Sequence, residues 1–309
     1  MKKIMMNETN DQTMRELFDK YILSCEVKNL SKKTISSYMA HFNAISKYLD
    51  TNMQLTSFAK QNIDDFILER KSANMRVTTI NSYLRTLRAF LYWCMDNDYL
   101  NRFSINLLHV DKIVKATYTE AELNKLLKKP NIKKCTFLEY KTWVLVSFLV
   151  STGQRLGAIS ELKIEHLDFT NRLITFQRTK RRKSHIINMS DSIASILEEY
   201  LKYRKGNPED YLFCNTYGTQ AKINTLEENL IDYNHARGVT KTSAHLFRHT
   251  FAKNWIQAGG NQFELMRILD HTTLDMTNHY VNLYSSEVDM NKYDMLDKFN
   301  KKSIKLKER

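Results

Sequence analysis

The chain has 309 residues, and its 47 lysines and arginines against 34 aspartates and glutamates give a formal net charge of +13. This length is typical of two domains with cores of their own. Basic residues outnumber acidic ones on both sides of residue 112, which indicates an extended polyanion as the partner. The longest apolar run, residues 143–150, is too short to span a bilayer, and no apolar stretch typical of a secretory signal begins the sequence. A membrane protein is therefore excluded, and a cytoplasmic location is expected.

The spacing of the cysteines excludes a second class of protein. The four of them lie far apart, and no two form a CxxC pair. This spacing argues against a disulfide scaffold and predicts reduced, buried thiols. The residues concerned are Cys25, Cys94, Cys135 and Cys214.

The N-terminal part of the chain is predicted to be entirely helical. Its first 129 residues contain no glycine and no proline, whereas sheets and tight turns normally need such residues. One apolar stripe at helical spacing runs from Ile35 to Leu49, with Ser31 as its candidate N-cap, and a second runs from Ile80 to Cys94. We therefore expect a domain of four or five helices over residues 12–108, with shorter helices around 13–27 and 58–72.

The C-terminal part is predicted to combine helices with a small antiparallel sheet. Thr119 and Glu122 have the spacing of a capping box, which indicates a helix ending near Lys129. A strongly apolar helix follows and is stopped by Gly153. Two β-rich stretches separated by turn residues predict two or three strands within 168–189. Further helices are expected at 136–152 (the apolar one), 191–204, 225–236, 245–258, 261–269, 273–284 and 287–299.

The sequence RTKRRK, residues 178–183, has five cations in six positions at the expected turn of a hairpin. A run of this kind is most often a solvated turn that aids solubility. A cationic hairpin tip can instead enter a groove or contact a phosphate. The candidate contacts to a polyanion are Arg178, Lys180, Arg181, Arg182 and Lys183.

The sequence HLFRH, residues 245–249, offers either a metal pair or an anion site. His245 and His249 are four residues apart on a helix, but no acidic or cysteine ligands stand nearby, so no metal site is predicted. His245 and Arg248, one turn apart, can point at the same anion. For His249 we expect only packing in the core or against another helix.

Two further segments contain candidate residues. In TGQRLGAISEL, residues 152–162, Arg155 lies at the start of a helix, where a guanidinium can add to an anion site. A surface arginine at a helix junction is an equal alternative there. In LDHTTLDMTNHYVNLY, residues 269–284, Tyr280 follows His271 by nine positions, and either residue alone would be assigned to the core. No phosphate-binding glycine loop is found, which argues against a nucleotide-driven enzyme.

The order of these residues closely resembles the tyrosine recombinase (phage integrase) family. Its catalytic domain carries arginine, lysine, His-x-x-Arg, histidine or tryptophan, and tyrosine, which correspond here to Arg155, Lys180, His245 with Arg248, His271 and Tyr280. The resemblance covers about 117–285 and, more weakly, 12–108, which is similar to the family's helical core-binding domain. It implies a mainly α fold with a small antiparallel sheet, in which the core-binding domain is followed by a mixed α/β catalytic domain.

The resemblance divides the chain into five segments. They are a flexible N-terminus (1–11), a core-binding domain (12–108), a linker (109–118), a catalytic domain (119–300) and a basic tail (301–309).

Three positions depart from the family pattern. Ala158 stands where the family usually has an acidic residue, Asp270 where it has the glycine of Leu-Gly-His, and Asn188-Met189 where a strand commonly ends Pro-Leu. None of these removes a catalytic group. Within the basic run, Lys180 after Thr179 best matches the family's lysine, and Lys183 is its competitor.

The resemblance implies a site-specific recombinase that cuts and rejoins DNA through a 3′-phosphotyrosyl intermediate and a Holliday junction, for integration or excision of a mobile element. Tyr280 would be the nucleophile and His245 its proton acceptor, with no metal ion, ATP or other cofactor. Four protomers would bind two duplex DNA recombination sites, each clamped by both domains. The helix 287–299 would dock on a neighbouring protomer, although packing on its own domain is an equal alternative. Accessory directionality proteins or host DNA-bending proteins are possible partners.

Three other functions remain open at this stage. A type IB topoisomerase uses a similar set of residues but relaxes supercoils as a monomer. A non-catalytic DNA-binding regulator would carry a decayed site, against which the complete set of six polar groups argues. A basic helical RNA-binding protein would be expected to show a recognisable module, such as an aromatic RNA-binding strand, and none is found.

Overall fold

The computed structural model describes residues 12–110, 116–177 and 184–284. These residues form two compact units, of which the first contains 12–110 and the second contains the rest. Most of them are helical, and one three-stranded antiparallel sheet lies in the second unit. This confirms the predicted fold class, a mainly α protein with a small antiparallel sheet. No helix within these ranges is long and apolar enough to cross a bilayer.

The first unit is built from four α-helices joined by short segments. Thr13 and Glu16 form a capping box at the start of the first helix, and the predicted N-cap Ser31 accepts a hydrogen bond from the backbone N–H of Thr34. Such caps satisfy backbone donors that the first turn leaves without partners. The helices are α1 (Met14–Val27), α2 (Lys32–Ile45), α3 (Lys60–Ser72) and α4 (Val77–Asp96).

Aromatic rings from three of these helices form the centre of that unit. Phe18 of α1 stacks on Phe42 of α2 with ring centroids 3.7 Å apart, and Phe90 of α4 meets Phe18 edge-on at 5.3 Å. All three rings are buried, so each contributes apolar burial, and the edge-on contact of Phe90 with Phe18 adds a favourable ring geometry. This core explains how a segment without glycine or proline forms a stable helical unit.

The larger of two apolar clusters among the described residues of the second unit contains most of the sixth helix of the chain, which is buried along almost its whole length, and the smaller cluster lies among the last three helices. These residues form eight α-helices in all. These helices are α5 (Glu120–Leu127), α6 (Phe137–Thr152), α7 (Leu156–Ser160), α8 (Asp191–Arg204), α9 (Ile223–Ala236), α10 (Ala244–Gln257), α11 (Gln262–Ile268) and α12 (Asp275–Tyr284).

The sheet consists of β1 (Leu167–Asp168), β2 (Leu173–Phe176) and β3 (His185–Asn188), in that order. Leu167 pairs with Ile174, and the β2–β3 ladder ends at the pair of Phe176 and His185. The last pair lies directly before the basic run, which itself lies outside the described residues. The predicted hairpin is therefore present on both sides of residues 178–183.

Three sequence predictions need correction. The helix after Thr119 ends at Leu127 rather than near Lys129, because Lys128 is extended and the residue before Pro130 disfavours helix. Helix α2 ends at Ile45, so Leu49 belongs to the turn that follows it. Cys135 is only partly buried, since it lies in the turn before α6.

The other three cysteines are buried, and all four are free. Burial raises the pKa of the Cys94 thiol to about 12, which keeps it protonated and unreactive. The predicted helix 287–299 and the predicted segments 1–11 and 301–309 lie outside the described residues.

Gly153 allows α6 and α10 to approach closely. It ends α6 in the left-handed region with φ +61°, and a Cβ atom there would lie 2.6 Å from Cδ1 of Phe251 on α10 and 3.0 Å from Cδ2 of Leu269. Both the backbone conformation and the contact therefore favour glycine. No other residue type fits this position without movement of its neighbours.

We expect Gly153→Ala to lower the free energy of unfolding by about 2–4 kcal/mol, from left-handed strain and overpacking together. Gly218→Ala is the matched control, because Gly218 also has a positive φ (+79°) but no atom within 4 Å of a Cβ, so only about 1–2 kcal/mol of strain is expected. Urea denaturation measures both. Equal losses in the two variants would show that the contact with Phe251 is unimportant.

Candidate functional site

Helix α10 carries two of the predicted site residues on one face. Ser243 is its N-cap, and the hydroxyl of Ser243 accepts a hydrogen bond from the backbone N–H of His245. His245 is exposed in this first turn, whereas Arg248, one turn further, is only 4% exposed. The face therefore runs from solvent into the interior of the unit.

The Arg248 guanidinium is fixed by two backbone carbonyl groups. It donates hydrogen bonds to the carbonyl oxygen of Gly153 at 3.1 Å and to that of Leu269 at 2.6 Å. Burial, and then the nearby charge of Arg155, lower its pKa to about 10. The group thus stays protonated at neutral pH, and its cation is largely desolvated and held in one orientation.

Arg155 reaches the same carbonyl group from another element. It is the N-cap residue of α7, with an extended backbone, and its Nη1 atom lies 3.5 Å from the carbonyl oxygen of Leu269. Two guanidinium groups separated by 93 positions in sequence therefore meet at one acceptor. Their mutual repulsion makes this place favourable for an anion that would lie between them.

The turn between α11 and α12, residues 268–271, is the structural centre of the site. Gln154 donates to the carbonyl oxygen of Ile268 at 2.6 Å, and Nε2 of His185 lies 2.9 Å from the same oxygen. Sequence reasoning did not identify either residue. No motif marks them, because they contact backbone atoms whose position only the fold determines.

Asp270 occupies this turn with φ +48°, the left-handed region that glycine adopts most easily. This conformation explains how an aspartate can replace the glycine of the family's Leu-Gly-His. The Asp270 carboxylate also raises the pKa of Arg248, against the larger lowering by burial. Ala158, where the family has an acidic residue, packs instead against the apolar core.

His271 follows directly and is fixed by a buried hydroxyl. Its Nδ1 atom lies 2.8 Å from Oγ1 of Thr277, which is fully buried in the first turn of α12. His271 itself is only 4% exposed. The pair sets the orientation of the imidazole ring, and no sequence motif indicates the role of Thr277.

Tyr280 lies on α12 among the two histidines and the arginines. Its ring is parallel to that of His271 with centroids 6.3 Å apart, and its hydroxyl oxygen lies 2.7 Å from Nδ1 of His249. Tyr280 also influences the pKa of Arg248. His249, for which only packing was predicted, is half-buried and contacts the Tyr280 hydroxyl, so that prediction was incomplete.

The structure thus brings together Arg155, Arg248, His271 and Tyr280, with the exposed His245 on the same helix as Arg248. Lys180 and the other basic candidates, Arg178, Arg181, Arg182 and Lys183, lie outside the described residues. Among residues that the structure does describe, no group of three or more histidines, cysteines and acidic residues is arranged to hold a metal ion. The arrangement can bind a phosphate-like anion next to a phenol.

We expect Thr277→Val to remove the hydroxyl partner of His271 and to lower the free energy of unfolding by about 1–3 kcal/mol, the penalty for a buried polar group without a partner. Thr277→Ser retains the hydroxyl and is expected to cause a smaller loss. The ¹⁵N chemical shifts of the His271 ring should change in the valine variant and stay near wild type in the serine variant. Identical shifts in all three proteins would contradict this role of Thr277.

Two family models match the chain. The model of the phage integrase family matches residues 117–287, and the model of the phage integrase N-terminal SAM-like domain matches residues 16–98. The first match contains the whole site described above. The second corresponds to the helical first unit.

Curated relatives match along most of their length. A tyrosine recombinase of Pseudothermotoga lettingae is 24% identical over 290 residues, which cover 91% of this chain and 96% of the relative. The tyrosine recombinase XerC of Staphylococcus aureus is 22% identical over 287 residues, with 89% and 94% covered.

Solved structures share the fold. The Tn1549 transposon integrase in complex with transposon right-end DNA has a TM-score of 0.69 at 20% identity and covers 87% of this chain and 94% of its own. A lambda integrase tetramer bound to a Holliday junction has a TM-score of 0.69 at 15% identity, with 87% and 80% covered. Because the family model matches more than half of the chain, including Arg155, Arg248 and Tyr280, the protein belongs to the phage integrase family of tyrosine recombinases.

Proposed function

We propose that the protein is a site-specific recombinase that cuts and rejoins duplex DNA through a 3′-phosphotyrosyl intermediate. The observation that supports this most strongly is that the Arg155 and Arg248 guanidiniums meet at the carbonyl oxygen of Leu269, with Tyr280 near enough to influence Arg248. A phosphodiester repels nucleophiles, and two fixed cations neutralise its non-bridging oxygens as they gain charge in the transition state. Tyr280 then attacks the phosphorus atom.

The two histidines of the family pattern supply further contacts. The Thr277 hydroxyl can donate to Nδ1 of His271, which leaves Nε2 to carry the proton and donate it to a phosphate oxygen. The exposed position of His245 at the start of α10 suits a second hydrogen bond to the same phosphate. In the family pattern His245 is also the candidate acceptor of the tyrosine proton.

The departing 5′ oxygen needs a proton, which we assign to Lys180. Strands β2 and β3 pair directly before and after the basic run, which contains this lysine. Arg178, Arg181, Arg182 and Lys183 would contact DNA phosphates from the same hairpin. No metal ion or ATP is required, because the phosphotyrosyl ester retains the bond energy for rejoining.

The proposed partners are two duplex recombination sites bound by four copies of the chain. The lambda integrase tetramer on a Holliday junction and the Tn1549 integrase with transposon DNA support this assembly and a role in moving a mobile element. The domain bounds 12–108 and 119–300, docking by the helix 287–299 and accessory directionality or DNA-bending proteins belong to the same proposal. The reaction would take place in the bacterial cytoplasm, at the nucleoid.

A type IB topoisomerase or a non-catalytic DNA-binding regulator would explain the sequence matches and the site less well. Curated tyrosine recombinases match along most of their length, and the described part of the site retains both arginines, both histidines and the tyrosine. No observation favours either alternative.

Tyr280→Phe tests the nucleophile. The variant is expected to bind a nicked duplex that carries the target site as tightly as wild type, but to form no covalent protein–DNA adduct in a denaturing gel. Wild type should form the adduct in the presence of EDTA and rejoin the strand to a second duplex. An adduct that persists in the variant, or that maps to Tyr284, would refute the assignment, and wild type that only relaxes supercoils would identify a topoisomerase.

Lys180→Ala tests the general acid. We expect cleavage to slow by about 10²–10⁴-fold, and to recover on a substrate with sulfur in place of the bridging 5′ oxygen. A thiol has a pKa of about 8.5 and leaves without a proton donor. In Lys183→Ala the ratio of rates on the two substrates should remain that of wild type. If the sulfur substrate restored the cleavage rate in Lys183→Ala and not in Lys180→Ala, Lys183 would be the general acid instead.

A further inference from the structure

The hydrogen bond between His249 and Tyr280 connects two helices that carry the reactive groups. Nδ1 of His249, on α10, lies 2.7 Å from the hydroxyl oxygen of Tyr280, on α12. The two rings are tilted by 46° with centroids 5.6 Å apart, so they do not stack face to face. This is the geometry of an O–H···N hydrogen bond.

The chemistry requires a proton acceptor at this atom. A phenol has an ordinary pKa of about 10, so Tyr280 must lose its proton as it attacks. A general base must lie within about 2.6–3.2 Å of the proton-bearing atom, and His249 meets this condition before DNA is bound. A neutral imidazole with an unprotonated Nδ1 can accept the proton, and its ordinary pKa near 6.5 suits a base at neutral pH.

His245 is placed differently. It lies one turn before His249 on α10 and is exposed, whereas His249 and the buried Tyr280 contact each other inside the unit. The exposed position suits contact with a DNA phosphate. The two histidines of HLFRH can therefore have different roles: His245 can contact the phosphate, and His249 contacts the nucleophile.

We propose that His249 is a catalytic residue, the general base that accepts the Tyr280 proton. In the cleavage step the Tyr280 O–H bond breaks and its proton moves to Nδ1 of His249. The phenolic oxygen forms the bond to phosphorus, the bond from phosphorus to the 5′ oxygen breaks, and Lys180 gives that oxygen a proton. Rejoining reverses each transfer: the 5′ hydroxyl returns its proton to Lys180, and His249 returns its own to the departing tyrosine. This inference rests on the proposed function.

The charged and titratable groups on the elements that pack at this pair come from three places. Arg248 and Lys253 lie on α10 with His249, Arg155 lies at the start of α7, and Asp270 and His271 lie in the turn before α12. Arg155, Asp270 and Tyr280 each influence the pKa of Arg248, the residue next to His249 in sequence.

His249→Asn separates proton transfer from hydrogen bonding. An asparagine amide can contact the tyrosine hydroxyl from nearly the position of Nδ1 but cannot take a proton at neutral pH. His41→Asn is the matched control, because Nδ1 of His41 contacts the hydroxyl of Thr86 at 2.8 Å within the first unit. Cleavage of a nicked target duplex is followed in a single turnover with saturating protein, from pH 5 to pH 9.

We expect the asparagine variant at position 249 to bind DNA normally and to form the adduct at Tyr280 about 10²–10⁴-fold more slowly. It should also lose the rise in rate with pH that an imidazole base gives. The control variant should keep both the wild-type rate and the wild-type profile.

Wild-type rate and profile in His249→Asn would overturn the inference, because a bond that only positions Tyr280 survives this change. The inference would also fail if His245→Asn alone removed the pH-dependent rise. The absence of any adduct in the wild-type protein would instead refute the proposed function itself. The two failures are thus distinguished by the wild-type reaction.

Discussion

The carbonyl oxygen of Leu269 determines the arrangement of the site, because two cations from distant parts of the chain bind it. A buried guanidinium is costly unless its donors are satisfied, and Arg248 satisfies two of them on backbone carbonyl groups at the end of α6 and after α11. Those carbonyl groups are positioned by Gly153, which lets α10 pack closely, and by the left-handed Asp270. The backbone therefore holds the two cations in place.

The hydroxyl of Tyr280 and the imidazole of His271 are organised on the same principle. Each contacts one partner on a neighbouring segment, His249 on α10 and Thr277 on α12. Such partners fix the orientation of the rings. The conformational entropy of these side chains is thus lost during folding.

The sequence predicted the helical first unit and a small antiparallel sheet, because these depend on local rules, whereas the candidate site residues came from the resemblance to the family. The absence of glycine and proline, the apolar stripes and the caps at Ser31 and Thr119 act within a few residues. The sequence did not predict Gln154 and His185, which bind the carbonyl oxygen of Ile268, because no pattern encodes a contact to distant backbone. His249 was missed for a related reason, since its partner is 31 positions away.

The short connection between α11 and α12 has a consequence for any assembly of several copies. Tyr280 follows the turn at residues 268–271 within the same unit, so each chain carries the phenol together with the cations that it needs. In an assembly on DNA, no subunit would need the phenol or the guanidiniums of another subunit. Each subunit would then contribute its own phenol and guanidiniums, and the number of such groups would match the number of subunits.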